Sequence, residues 1–171
     1  GRELADLEQA VLQQDPALLI VPDMFVGNGG LCPYKGLRPY SADDADAFFG
    51  RDQAVAGCLT RLVDSPLLVV VGPSGSGKSS LVAAGVVPAL RMAGRRVVQL
   101  SPGTQPLAAL TAAMASEPSG VAVVVDQLEE LFTTSDTEVD AEPFLSRLVA
   151  HAETGALVVV TLRADYVAEL A

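Results

Sequence analysis

Residues Gly72-Pro73-Ser74-Gly75-Ser76-Gly77-Lys78-Ser79 spell G-x-x-x-x-G-K-[ST], a pattern that ties the surrounding chain to one local architecture. The apolar run Leu67-Leu68-Val69-Val70-Val71 precedes it, and Ser80-Leu81-Val82-Ala83-Ala84 follows as a helix start. That is the strand–loop–helix order the chemistry needs. The glycines let successive backbone N–H groups turn inward as a nest for phosphate oxygens. The helix behind adds its free N–H groups and the positive end of its dipole. Lys78 then reaches the outer phosphates, and the Ser79 hydroxyl is placed to ligate Mg²⁺. The contact set predicted for a nucleoside triphosphate is therefore Gly72, Pro73, Ser74, Gly75, Ser76, Gly77, Lys78, Ser79 and Ser80. A Gly/Ser-rich surface turn is the competing reading, and the flanking apolar run and helix start argue against it.

A net charge of −10 looks wrong for an anionic ligand. Screening resolves the conflict, because the Debye length is only about 8 Å at physiological salt. Distant carboxylates are then weak against one lysine and several N–H dipoles in direct contact. The same charge argues against nucleic-acid binding by this segment, which has no basic stripe. With 171 residues, half of them apolar and 19% charged, the chain reads as one ordinary globular domain. No apolar stretch approaches a membrane span, and the first residues do not resemble a signal peptide. Cys32 and Cys58 lack metal-ligand spacing; two reduced thiols suit a cytoplasmic protein.

Four short apolar runs, over 67–71, 97–100, 121–125 and 157–162, are predicted as strands. Their hydrophobicity is continuous rather than alternating, as in strands covered on both faces. Helices over 78–92, 106–116 and 141–152 are predicted between them, which gives an α/β fold with an open parallel sheet. A polar loop is expected over 133–140. Ser41 with Asp44 marks the start of a short helix to about Phe49. A second helix over 52–63 is expected to bury Val55, Leu59, Leu62 and Val63, and Ser65-Pro66 ends it. Residues 3–14 read as an amphipathic helix stopped at Asp15-Pro16, followed by a glycine-rich connector.

The third strand ends at Asp126, where an acidic side chain can hold Mg²⁺ opposite Ser79. Capping of the next helix is the alternative role. Glu129 and Glu130 follow on the rim of the same cleft. One of the two is expected to orient or deprotonate the attacking water, with Glu130 preferred slightly to Glu129. Arg163 ends the fourth strand; if that strand lies between the first and third, Arg163 emerges beside the γ-phosphate, where its planar fork suits phosphate oxygens. Pairing with Asp165 is the competing reading. Phe49, Gly50 and Arg51 are candidates to cover the base, Gly50 permitting close approach. His151 reads as a capping or surface residue.

These pieces resemble the STAND class of signal-transduction NTPases, specifically the bacterial novel STAND NTPase family. The matching residues are Pro33-Tyr34-Lys35-Gly36-Leu37, Phe48-Phe49-Gly50-Arg51-Asp52, the loop from Gly72 to Ser79, Asp126-Gln127-Leu128-Glu129-Glu130-Leu131-Phe132, and Thr161-Leu162-Arg163-Ala164-Asp165. The resemblance implies a three-layer P-loop NTPase fold over residues 32–171, adenine contacts around Phe49–Arg51, phosphate and Mg²⁺ binding by the two Walker motifs, and a sensor role for Arg163. Gln127 stands where many ATPases carry an acid, and in STAND proteins the carboxylates three and four places after the Mg²⁺ aspartate look like the substitutes. Residues 1–16 resemble the end of a bacterial transcriptional activator domain of SARP-type regulators, with residues 17–31 as linker. The family implies a further strand, a helical lid, a winged helix and often repeats after the arginine. The core is accordingly expected to be C-terminally incomplete, a fragment of a larger regulator whose DNA-binding domain lies upstream.

Three functions compete at this stage. The first is a switch that binds and slowly hydrolyses ATP with Mg²⁺, changing contacts with other domains of its own chain and allowing a nucleotide-dependent oligomer. The second is a small-molecule kinase, for which Arg91, Arg95 and Arg96 are the weak candidate for a basic lid. The third is an assembly module that retains nucleotide without turnover. The residues leave ATP against GTP undecided.

Overall fold

The structure is a computed structural model, described over residues 38–115, 120–133 and 138–170. The helix read over 3–14, the connector, Cys32 and the motif from Pro33 to Leu37 lie outside the described residues. The elements are helix α1 (Asp52–Asp64), strand β1 (Leu67–Gly72), a helical run α2 over residues 78–92, strand β2 (Val97–Leu100), helix α3 (Pro106–Ala115), strand β3 (Ala122–Val125), a short α4 (Glu130–Thr133), helix α5 (Glu138–Glu153) and strand β4 (Val158–Arg163). Short 3₁₀ helices span Ala42–Ala47 and Ala164–Leu170.

All strand pairs are parallel, in the order β1-β4-β3-β2. The strand that ends in Arg163 therefore lies between β1 and β3, with Arg163 in register with Gly72. Every residue of β3 is buried, as its run of valines requires. Successive side chains go to opposite faces. Val123 and Val125 pack with Leu110, Phe144, Leu148 and Leu162, under α3 and α5. Ala122 and Val124 pack with Leu62, Val82, Val86 and Leu90, under α1 and α2. The result is the three-layer α/β arrangement. Burying each valine stabilises the fold by about 1.5–3 kcal/mol relative to exposure. No helix among the described residues is long and apolar enough to cross a membrane.

Local chemistry explains where the elements depart from the sequence reading. The helix predicted over 78–92 forms, but it is α-helical over Lys78–Ser80, π-helical over Leu81–Val86 and α-helical again over Val87–Met92. Pro88 has no N–H for an α bond to Ala84, and its ring crowds that carbonyl. A wider turn accommodates it, and Val87 N–H bonds back to Val82 O, five residues away. Val63 is 86% exposed rather than buried; the inward stripe of α1 is Cys58 and Leu62, and Val63 lies one step of about 100° round from Leu62. The loop predicted over 133–140 is helical at both ends, since Thr133 closes α4 and Glu138 opens α5. Pro143 within α5 costs a backbone bond, and burial of Phe144, Leu148 and Ala152 holds the helix through it. The segment after Ser41 is a 3₁₀ helix, started as expected: the Ser41 N–H and hydroxyl both donate to the Asp44 carboxylate, at 2.7 and 2.6 Å.

His151 is neither a cap nor a surface residue. It is half-buried, and its Nε2 lies 2.9 Å from Val121 O, tying α5 to the start of β3. Cys58 is buried and free, and burial pushes its thiol above the usual range. Phe144 is fully enclosed, so Phe144→Ala is expected to destabilise the domain by about 3–5 kcal/mol. Urea unfolding checks this, and a loss below about 1 kcal/mol would contradict the packing described.

Candidate functional site

The loop after β1 takes its shape from glycine. Gly75 and Gly77 have φ of 74° and 84°, a region that side chains with a Cβ rarely enter. Gly77 leads directly into α2, whose first residues are Lys78 and Ser79. The Lys78 ammonium donates to the carbonyls of Gly72 and Pro73, both at 2.9 Å. It thus lies folded across the loop, held by two neutral acceptors that a charged oxygen would outcompete.

Opposite the loop, β3 delivers Asp126. Its Oδ1 accepts from the Ser79 hydroxyl at 2.8 Å and from the Thr161 hydroxyl at 2.5 Å. Two hard oxygen donors, a hydroxyl and a carboxylate, therefore meet across the cleft. Among the described residues there is no group of three or more His, Cys, Asp or Glu able to cage a metal. Such a pair fits Mg²⁺, which keeps its waters and takes phosphate oxygens rather than an all-protein cage.

The chain turns sharply after Asp126. Gln127 has φ 58°, the one positive φ of a non-glycine residue among the described residues, and its N–H donates to the Thr161 hydroxyl at 2.8 Å. This turn separates the two glutamates. Glu129 is 9% exposed, and its Oε2 accepts from the Arg163 backbone N–H at 3.2 Å. Glu130 points elsewhere: its Oε2 accepts from Gly103 N–H at 3.1 Å, in the loop after β2. The site of Arg163 is also specific. Its guanidinium grips Asp165 through two hydrogen bonds, at 3.1 and 2.6 Å, and lies 5.3 Å from the centre of the Tyr166 ring. The Asp165 hydrogen bond raises the Arg163 pKa further, and the same bond holds the Asp165 carboxyl below its ordinary range. Both groups are exposed, so the pair is a clasp that solvent screens and not a source of stability.

A cavity of about 400 Å³ collects most of these groups: Ser74, Gly75, Gly77, Lys78, Ser79, Ser80, Gln127, Glu129, Thr161 and Arg163, with Arg38, Pro39 and Tyr40 as a further wall. Gly72, Pro73 and Ser76 line a smaller cavity of about 250 Å³ together with Arg51, whose Nη2 lies 3.5 Å from Ser76 O. Asp126 shares a third, of about 320 Å³, with Ser79 and Ser101. Phe49 is 76% exposed and belongs to none of these walls, while Gly50 turns the chain beside it with φ 77°. Sequence reasoning missed Arg38, Tyr40 and Thr161. A lone hydroxyl inside the apolar run of β4 was the available signal for Thr161. Arg38 and Tyr40 gave none, because their place follows from the bond of Tyr40 N–H to the Ser80 hydroxyl at 3.1 Å.

A larger cavity, about 640 Å³, lies away from this chemistry. It is an apolar groove at the amino-terminal ends of β1 and β4, between Leu59, Pro66, Leu90 and Leu157, with Arg95 on its rim. The basic cluster around Arg95 thus sits at the opposite edge of the sheet from the phosphate loop, where it cannot close over a transferred phosphate.

The model of the Novel STAND NTPase 1 family matches residues 33–171. The chain belongs to that family. No curated protein matches it. Membership makes this Novel STAND NTPase a member of a nucleotide-using class, with the loop, Asp126 and Arg163 at the carboxyl ends of three adjacent parallel strands. Ligands of open α/β sheets bind at that edge.

Proposed function

We propose that the chain is an ATP-binding, slowly hydrolysing switch module of a larger multidomain transcriptional or signalling regulator. The observation that carries the reading is the convergence of Lys78, Ser79, Glu129 and Arg163 on one cavity, with Asp126 bonded to Ser79. The backbone N–H groups of the loop and Lys78 are assigned to the outer phosphates, Lys78 exchanging two carbonyls for charged oxygens. Ser79 and Asp126 are the residues that would hold Mg²⁺, which would neutralise phosphate charge there. Glu129 is assigned to the water: it orients the molecule and takes its proton as the oxygen bonds to the γ-phosphorus and ADP departs. Its place in the cavity wall and its low exposure support that assignment over Glu130, whose carboxylate is engaged at Gly103. Phe49, Gly50 and Arg51 are assigned to the base, on the strength of the exposed Phe49 ring and the reach of Arg51 to Ser76. DNA contact is left to other domains.

Arg163 is assigned to sensing the γ-phosphate, by exchanging Asp165 for phosphate oxygens. Arg163→Ala is then expected to weaken ATP about tenfold more than ADP, the size of one charged hydrogen bond. Equal losses for the two nucleotides would remove Arg163 from that role. The function as a whole is tested by calorimetric titration with ATP and GTP, with and without Mg²⁺. ATP is expected to bind more tightly than GTP, and Mg²⁺ to strengthen it. No heat with either nucleotide contradicts the proposal.

A further inference from the structure

Thr161 is the one polar residue within the buried stretch Val158–Leu162 of β4, and it is 1% exposed. Packing alone does not call for a hydroxyl there, because valine has the same shape. The hydroxyl is fully used. Its oxygen accepts from Gln127 N–H at 2.8 Å, and its hydrogen goes to Asp126 Oδ1 at 2.5 Å. The direction of both bonds is fixed, since a backbone N–H only donates and a carboxylate accepts. The Thr161 carbonyl also accepts from Leu128 N–H at 3.0 Å. One residue of β4 therefore holds three consecutive residues of the turn after β3, including Gln127 in a conformation that residues other than glycine rarely adopt.

We propose that Thr161 is a positioning residue for the Mg²⁺ carboxylate. It fixes the rotation of the Asp126 side chain, so that Oδ1 is occupied by the hydroxyls of Ser79 and Thr161. Among the described residues neither of these bonds falls on Oδ2, which would be the oxygen available to the metal or its water. The Mg²⁺ dependence of triphosphate binding is thus set from inside the core, on the strand that carries Arg163 two residues later. The proposal rests on the assignment of Ser79 and Asp126 as the metal pair. Partners that orient a metal ligand from behind are commonly worth 10–100-fold in metal affinity.

The test measures ATP affinity of the parent, Thr161→Val, Thr161→Ser and Thr161→Ala, each with Mg²⁺ and in excess chelator. The strengthening by Mg²⁺ is expected to fall about tenfold or more in the valine and alanine variants, while affinity in chelator stays within about twofold. Serine, which restores the hydroxyl, is expected to keep the parental strengthening. Parental strengthening in the valine variant overturns the proposal. So does an equal loss with and without Mg²⁺, or a serine variant as impaired as valine. Failure of both valine and alanine variants to fold, seen by circular dichroism, also overturns it, because the hydroxyl then serves the fold alone. A parent that binds ATP with no strengthening by Mg²⁺ sinks the metal pair itself, and is thereby distinguished from failure of Thr161 alone.

Discussion

Lys78→Ala is expected to abolish tight triphosphate binding. Among the described residues Lys78 is the one ammonium in the cavity wall, and it is held in place by carbonyls of the loop it serves. Truncating one partner of a desolvated charge contact costs about 2–5 kcal/mol, or about 30-fold to several thousand-fold in affinity. The fold should be untouched, because Lys78 is only half-buried and its ammonium bonds to carbonyls of its own loop, and the urea midpoint is expected to match the parent. Equilibrium titration decides the matter. ATP affinity within threefold of the parent would remove the loop as the phosphate site.

The second large effect is expected from Glu129→Gln. Glutamine keeps the shape and the bond to Arg163 N–H but cannot take a proton, so ATP affinity is expected to hold within a few-fold. Turnover should fall about 10²–10⁴-fold, the range of a positioned general base. Such a split arises because the carboxylate acts only in the transition state. Glu130→Gln is expected to have the smaller effect on turnover, since its carboxylate is spent on the loop at Gly103. Single-turnover kinetics on both variants separates the two roles. Parental turnover in Glu129→Gln, with loss in Glu130→Gln, would reverse the assignment.

The four strands were legible because each is a short apolar run, and the sheet that buries them on both faces needs just that pattern. The loop was legible because its glycines and lysine act through backbone geometry that is local in sequence. The choice between Glu129 and Glu130 was not. Adjacent residues diverge according to the turn at Gln127, and that turn is held by Thr161 from another strand. Val63 failed for a similar reason, since one step round α1 separates the core from solvent. The wider turn before Pro88 lay within reach of the sequence, because the missing N–H is a local fact. The wall formed by Arg38 and Tyr40 was not, because it depends on a bond forty residues away to Ser80.

The role proposed for this site is a slow hydrolytic switch, and phosphate release tests it most directly. The measurement uses Mg²⁺ and each of ATP and GTP with no added acceptor, and Lys78→Ala supplies the background. The account predicts slow release from ATP, above that background and abolished by Glu129→Gln. Release from the parent no faster than from Lys78→Ala, despite tight ATP binding, would contradict hydrolysis and leave a module that only retains its nucleotide.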